Sequence, residues 1–180
     1  IINGNNSFNT FVFDTKFVYE ENKFNNITYL NNGYSDSLKQ INDYVEKIDE
    51  VLKSNNNNKK SISNVKEVLV MLFGVDKFVK SLNDDDKKLF DNIINKTKDS
   101  LKVHFMFVDS SNNLRKIEYE TWYKDTVDSS SGLWIGNGFA EQYSIKPTKV
   151  QQSYYEIIGN KYGYIVSNGN VDYIKIIEKM

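Results

Sequence analysis

The sequence contains no cysteine, one histidine (His104) and one proline (Pro147). Without cysteine there are no disulfides, no thiolate nucleophile and no thiolate-ligated zinc or iron–sulfur site, and one histidine excludes a multi-histidine metal site within the chain. No sign of charge is in excess: 23 Lys and Arg stand against 24 Asp and Glu, a net charge of -1. That balance gives no electrostatic case for gripping a phosphate backbone, so nucleic acid is not an expected partner. No run approaches the roughly 20 apolar residues needed to span a bilayer, and mean hydropathy is -0.56. Direct membrane contact is not expected either. The chain starts at Ile1 with no basic segment leading into an apolar one, and is expected to be a fragment of a longer protein.

What is present is the raw material of one domain: 180 residues, 14% aromatic, long enough to bury a sizeable core. Phe11-Val12-Phe13 is a short apolar run closed by Asp14, which suits a buried strand presenting a carboxylate at its C-terminal end. Leu38, Ile41, Val45, Ile48 and Leu52 recur at three- and four-residue steps, one face of a helix that Ser35 or Ser37 can cap. After the polar run Asn55 to Lys60, expected to be a loop, Val68 to Phe73 is continuously apolar, as a strand covered on both faces is, and Gly74 ends it.

Asn83 predicts the cap of a further helix, with Asp84, Asp85 and Asp86 in its positive first turn and Leu89, Phe90, Ile93 and Ile94 on its inner face. The aspartates lack the spacing of a calcium loop and read as partners of the helix dipole. Val103 to Val108 is the next strand, ended by Asp109-Ser110. These strand and helix alternations argue for an α/β domain with a parallel sheet. In the last third, Gly132 to Gly138 sets a short apolar strand between glycines. Tyr162 to Val166 and Val171 to Ile177 bracket Ser167-Asn168-Gly169-Asn170, a hairpin turn signal.

Recognisable catalytic machinery is missing. No G-x-x-x-x-G-K-[ST] phosphate loop occurs, and Gly4 to Thr10 has neither the second glycine nor the lysine to replace it. The strand that ought to end in a magnesium-binding acid ends in Leu72-Phe73-Gly74, with Asp76 three residues beyond Phe73. His104 alternates within an apolar strand and no nucleophile elbow accompanies it. Glu118 and Glu120 read as surface charge. Trp122, Tyr123 and Trp134 are large apolar groups near polar loops, able to close the core or to anchor a partner.

Four segments resemble one family, the FtsK/SpoIIIE-type ATPases, and within it the degenerate C-terminal domain of the type VII secretion coupling proteins (EssC/YukB family). Phe11 to Lys16 resembles the strand ending Asp-Pro-Lys that follows the phosphate-loop helix, with Thr15 in place of proline. Val68 to Gly74 resembles the Walker-B strand, with Phe73 at the degenerate acid position. Val103 to Ser110 resembles the sensor strand, and the Gly132 to Gly138 segment with the closing hairpin resembles the end of the last ATPase domain.

The resemblance implies an α/β, three-layer RecA-like (P-loop NTPase-like) sheet flanked by helices, lacking a P-loop, with a C-terminal β-hairpin, and residues 1–180 as a single degenerate ATPase-like domain. It implies a membrane-anchored parent, an ATPase facing the cytoplasm, whose other domains hold ATP and magnesium; no cofactor or metal is expected here. This fragment would then be non-catalytic, recognising secreted WXG100-class proteins beside neighbouring ATPase domains, with Trp122, Tyr123 and Trp134 as partner-binding residues. Two alternatives stay open: a nucleotide-responsive domain whose P-loop lies upstream or is supplied in trans, and a structural assembly module.

Overall fold

A computed structural model describes residues 8–17, 27–54, 66–98 and 102–176. The elements are β1 (Phe8–Asp14), β2 (Ile27–Leu30), α1 (Ser35–Ser54), β3 (Glu67–Phe73), α2 (Val75–Ser81), α3 (Asp84–Thr97), β4 (Val103–Val108), α4 (Ser111–Ile117), α5 (Thr121–Thr126), β5 (Gly132–Ile135), β6 (Tyr162–Ser167) and β7 (Asn170–Lys175). Two sheets result, a four-stranded one in the order β2-β1-β3-β4 and a three-stranded one in the order β5-β6-β7. The first is parallel throughout, as the continuous apolar runs of its inner strands require. The second is antiparallel. The sequence reading takes residues 1–180 as one domain; contacts within the chain group it into two compact units that meet at Thr126 and Val127.

In the first unit, Phe13, Val68, Val70, Leu72 and Val103 of the strands form one cluster with apolar side chains from all five helices. Helix α1 contributes Leu38, Ile41, Val45 and Ile48, each at most 5% exposed. Burying a side chain of that size stabilises by about 1.5–3 kcal/mol, so this one face holds the helix on the sheet. The Leu52 side chain and the Asn55 to Lys60 run lie outside the described residues. The first α1 hydrogen bond runs from the Leu38 N–H to the Tyr34 carbonyl, and the Ser35 hydroxyl donates to Asp86 Oδ1 instead (2.8 Å).

Helix α3 begins as the sequence predicts. Asn83 Oδ1 accepts from the Asp86 N–H at 2.8 Å and Asn83 Nδ2 donates back to Asp86 Oδ2 at 2.8 Å. The first bond satisfies an N–H that the first helical turn leaves unpaired, and the second ties the two side chains together. The opposite face of the sheet carries a smaller cluster of Val12, Met71 and Phe73, with Tyr29, Leu69 and Val108 packed against it.

The second unit has its own core. Phe139 stacks on Tyr164 with centroids 4.5 Å apart, and Tyr154 closes the trio edge-on. Val166 completes this cluster. The hairpin turns through Asn168 (φ 50) and Gly169 (φ 76), the pair of left-handed residues that a two-residue type I′ turn needs. Among the described residues no helix is long and apolar enough to cross a membrane.

Candidate functional site

The sheet order fixes where a ligand crevice would lie. From β1 the chain goes to β2 on one side, and from β3 to β4 on the other, so the C-terminal ends of β1 and β3 form the topological switch point at which open α/β sheets bind ligands. Asp14-Thr15-Lys16, Phe73-Gly74 and Asp109-Ser110 meet there, in the register Asp14 opposite Phe73 and Phe73 opposite Val108.

The crevice is filled by the chain itself. The Thr15 hydroxyl lies 2.9 Å from the Phe73 carbonyl and 3.0 Å from that of Gly74, and the Thr15 N–H donates to Phe73 O at 3.1 Å. Gly74 has φ 77, and a Cβ at this position would collide with Thr15 Oγ1. Only glycine allows the approach. The Gly74 N–H donates to Val108 O at 2.9 Å, and the Lys16 N–H to Asp14 Oδ1 at 3.0 Å. Asp14 is fully buried and accepts from the Tyr29 hydroxyl at 2.6 Å.

Across β3, Lys16 Nζ pairs with Asp109 Oδ1. The same oxygen accepts from Asn113 Nδ2 at 2.9 Å and from the Ser110 N–H at 2.8 Å. Burial pushes the Asp109 carboxyl up, but the hydrogen bonds from Lys16, Asn113 and Ser110 and the Lys16 charge together outweigh it and hold the group below the usual carboxylate range. Asp109 Oδ2 is buried without a hydrogen-bond partner. Asp76, in the first turn of α2, is held by Lys80 (2.7 Å) and faces Lys116 (3.7 Å). Lys77 Nζ donates to Thr15 O at 2.9 Å.

A nucleotide needs free backbone N–H donors and a lysine around its phosphates, with an acid or hydroxyl on its metal. At this edge the N–H groups of Thr15, Lys16, Gly74 and Ser110 are bonded within the chain. Phe73, at the end of β3, is 7% exposed and has no group that could bind a metal. These residues do not fit Mg-ATP. Among the described residues no group of three or more His, Cys, Asp and Glu is placed to hold a metal ion.

The other sequence candidates lie elsewhere. Trp122 is 4% exposed, with Phe90 at 5.1 Å and Phe107 at 5.6 Å. Tyr123 touches it, half-buried, its centroid 5.6 Å away; burial, then the Glu118 charge, push its phenol up. Trp134 belongs to the second unit, half-buried, its indole N–H donating to Gly136 O and Asn137 O at 3.1 and 3.0 Å. His104 sits on the edge strand β4 with Glu67 Oε2 3.0 Å from Nε2. The sequence reading did not single out Phe17, which is 65% exposed at φ 54.

No protein-family model matches the chain, and no curated protein matches it. Solved structures do. One described as the cytoplasmic domain of EssC aligns with a TM-score of 0.65 and 14% identity over 95% of this chain and 33% of that one. EssC ATPases 2 and 3 from Geobacillus thermodenitrificans align with a TM-score of 0.64 and 15% identity over 94% of this chain and 30% of that one. The chain therefore has the fold of an EssC ATPase domain and spans about a third of those chains.

Proposed function

We propose that this chain is a non-catalytic ATPase-like module of a type VII secretion motor, engaged in recognising secreted WXG100-class proteins. The observation that supports the reading is the switch-point edge of an EssC-like fold, where Thr15 bonds to the ends of β3, Lys16 pairs with Asp109, and β3 ends in Phe73 rather than an acid. Such a module has no phosphate chemistry to perform. Its parent is a membrane-anchored ATPase acting on the cytoplasmic side, with ATP and magnesium in other domains. The working partners are those neighbouring ATPase domains and the cargo, whose amphipathic helix would present apolar anchors at i, i+3 and i+4.

The test is a titration of the chain, alone and joined to its neighbouring ATPase domains, with WXG100-class proteins encoded alongside it. Saturable binding at micromolar concentration supports the reading. No binding at hundreds of micromolar in either form overturns it. Loss of motor assembly on deleting the module, with cargo choice unchanged, favours a structural role.

A further inference from the structure

The filled crevice carries a rim of distinctive chemistry. Phe17 is a large apolar residue left 65% accessible there, and its backbone sits at φ 54, a conformation that costs a bulky residue of order 1 kcal/mol or more. It is held there by local contacts. Lys77 Nζ lies 5.7 Å from the ring centroid while donating to Thr15 O, and Thr15 is fastened to the ends of β3. A solvent-facing aromatic with a lysine over its ring is a natural anchor for a partner's apolar group.

The charges around it are sorted by depth. Lys16 pairs with Asp109, Asp109 bonds Asn113, Asn113 Oδ1 accepts from Lys116 Nζ at 2.9 Å, and Lys116 shares Asp76 with Lys80. One network therefore joins the ends of β1 and β4 to α2 and α4. Its carboxylates lie underneath, with side chains 0% exposed for Asp109 and 12% for Asp76, and its lysine side chains lie outside, at 38% for Lys16, 56% for Lys116 and 66% for Lys80. Lys77 adds a fourth exposed cation. Although the chain's net charge is only -1, this edge presents positive charge to solvent around one aromatic ring.

We propose that the rim of Phe17, Lys16, Lys77, Lys80 and Lys116 is a docking point for an acidic segment of a partner protein that carries an apolar residue among its carboxylates. The apolar residue covers Phe17 and the carboxylates meet the lysines. A protein segment fits better than a nucleic acid: one aromatic ring offers no succession of stacking platforms, and the cations are lysines in a chain with a single arginine, Arg115. The inference uses only this edge, and it stands or falls independently of any role in secretion.

The test titrates the isotope-labelled full chain with an acidic octapeptide of six glutamates around two leucines, following backbone amide shifts and the anisotropy of a labelled copy. A serine-leucine octapeptide and a thymidine octanucleotide serve as comparisons. The expected result is shifts centred on Lys16, Phe17, Lys77 and Lys116, weakening at high salt. Phe17→Ala should weaken binding about tenfold; Lys77→Glu should weaken it several-fold, with both variants folded as judged by their melting temperatures. Absence of shifts at millimolar peptide, shifts centred elsewhere, or equal binding of the uncharged peptide would overturn the proposal. Tighter binding of the oligonucleotide would also overturn it, in favour of a polyanion site.

Discussion

The two compact units organise aromatic rings and polar groups in contrasting ways. Around the parallel sheet, rings run as a chain of edge-on and tilted contacts from Tyr34 and Phe13 through Phe78 and Phe90 to Trp122 and Phe107, and the polar ends of the strands bond to one another. In the antiparallel unit a compact trio of rings fills one side of the sheet, while Leu133, Ile135 and Ile165 remain 42–53% exposed, at alternate or paired positions of β5 and β6. The first unit closes its own polar edge and shows charge only at its rim. The second leaves an aliphatic surface uncovered. A sheet edge can thus be ordered without a ligand when its N–H groups and charges find partners in the chain.

The comparison breaks most severely at the centre of the ring chain. Phe78 is fully buried and touches Phe13, Tyr34 and Phe90; Phe78→Ala should cost about 3–5 kcal/mol in urea unfolding. Gly74→Ala comes next, at about 2–4 kcal/mol, because it combines a positive φ with a collision against the anchored Thr15 hydroxyl. Gly169→Ala sharpens the contrast: its Cβ, in the hairpin turn, meets the Thr148 hydroxyl and backbone N, so about 1–2 kcal/mol is expected. The same denaturation series ranks all three.

Asp109→Asn should cost about 1–3 kcal/mol at neutral pH, since it removes a charge that three donors converge on. Its pH dependence has a definite sign. The folded carboxyl is depressed, so its contribution is complete above the unfolded value of about 3.9 and is lost as pH falls below it toward the folded value. Unfolding at pH 7 and pH 3 should show the variant losing less stability on acidification than the parent. Smallest of all, Lys80→Ala removes a side chain 66% exposed and should change stability by less than about 1 kcal/mol.

Long apolar periodicities made much of this fold legible. β1, β3, β4, α1 and α3 follow from runs and three- and four-residue spacings, and the hairpin from Asn168-Gly169. Helices α2, α4 and α5, of six or seven residues each, and the four-residue β2 are too short to show a period and take their conformation from packing. At the candidate site, Phe73 and Asp109 could be placed by their positions at strand ends. The contacts that fill the crevice could not: Thr15 reaches Phe73 over 58 residues and Lys16 reaches Asp109 over 93, and such pairings exist only once the parallel order is set. Aromatic content drew attention to Trp122, which the core absorbs, whereas the strain that exposes Phe17 is a backbone property that composition does not reveal.

The proposed function rests on the switch-point edge being closed by the chain's own hydrogen bonds, and it predicts that no nucleotide binds there. Calorimetric titration of this chain with Mg-ATP, paired with its melting temperature in the same buffer, tests that most directly. The account predicts no binding heat and an unchanged melting temperature at millimolar nucleotide. Micromolar binding with a rise in melting temperature, abolished in Lys16→Met, would contradict it.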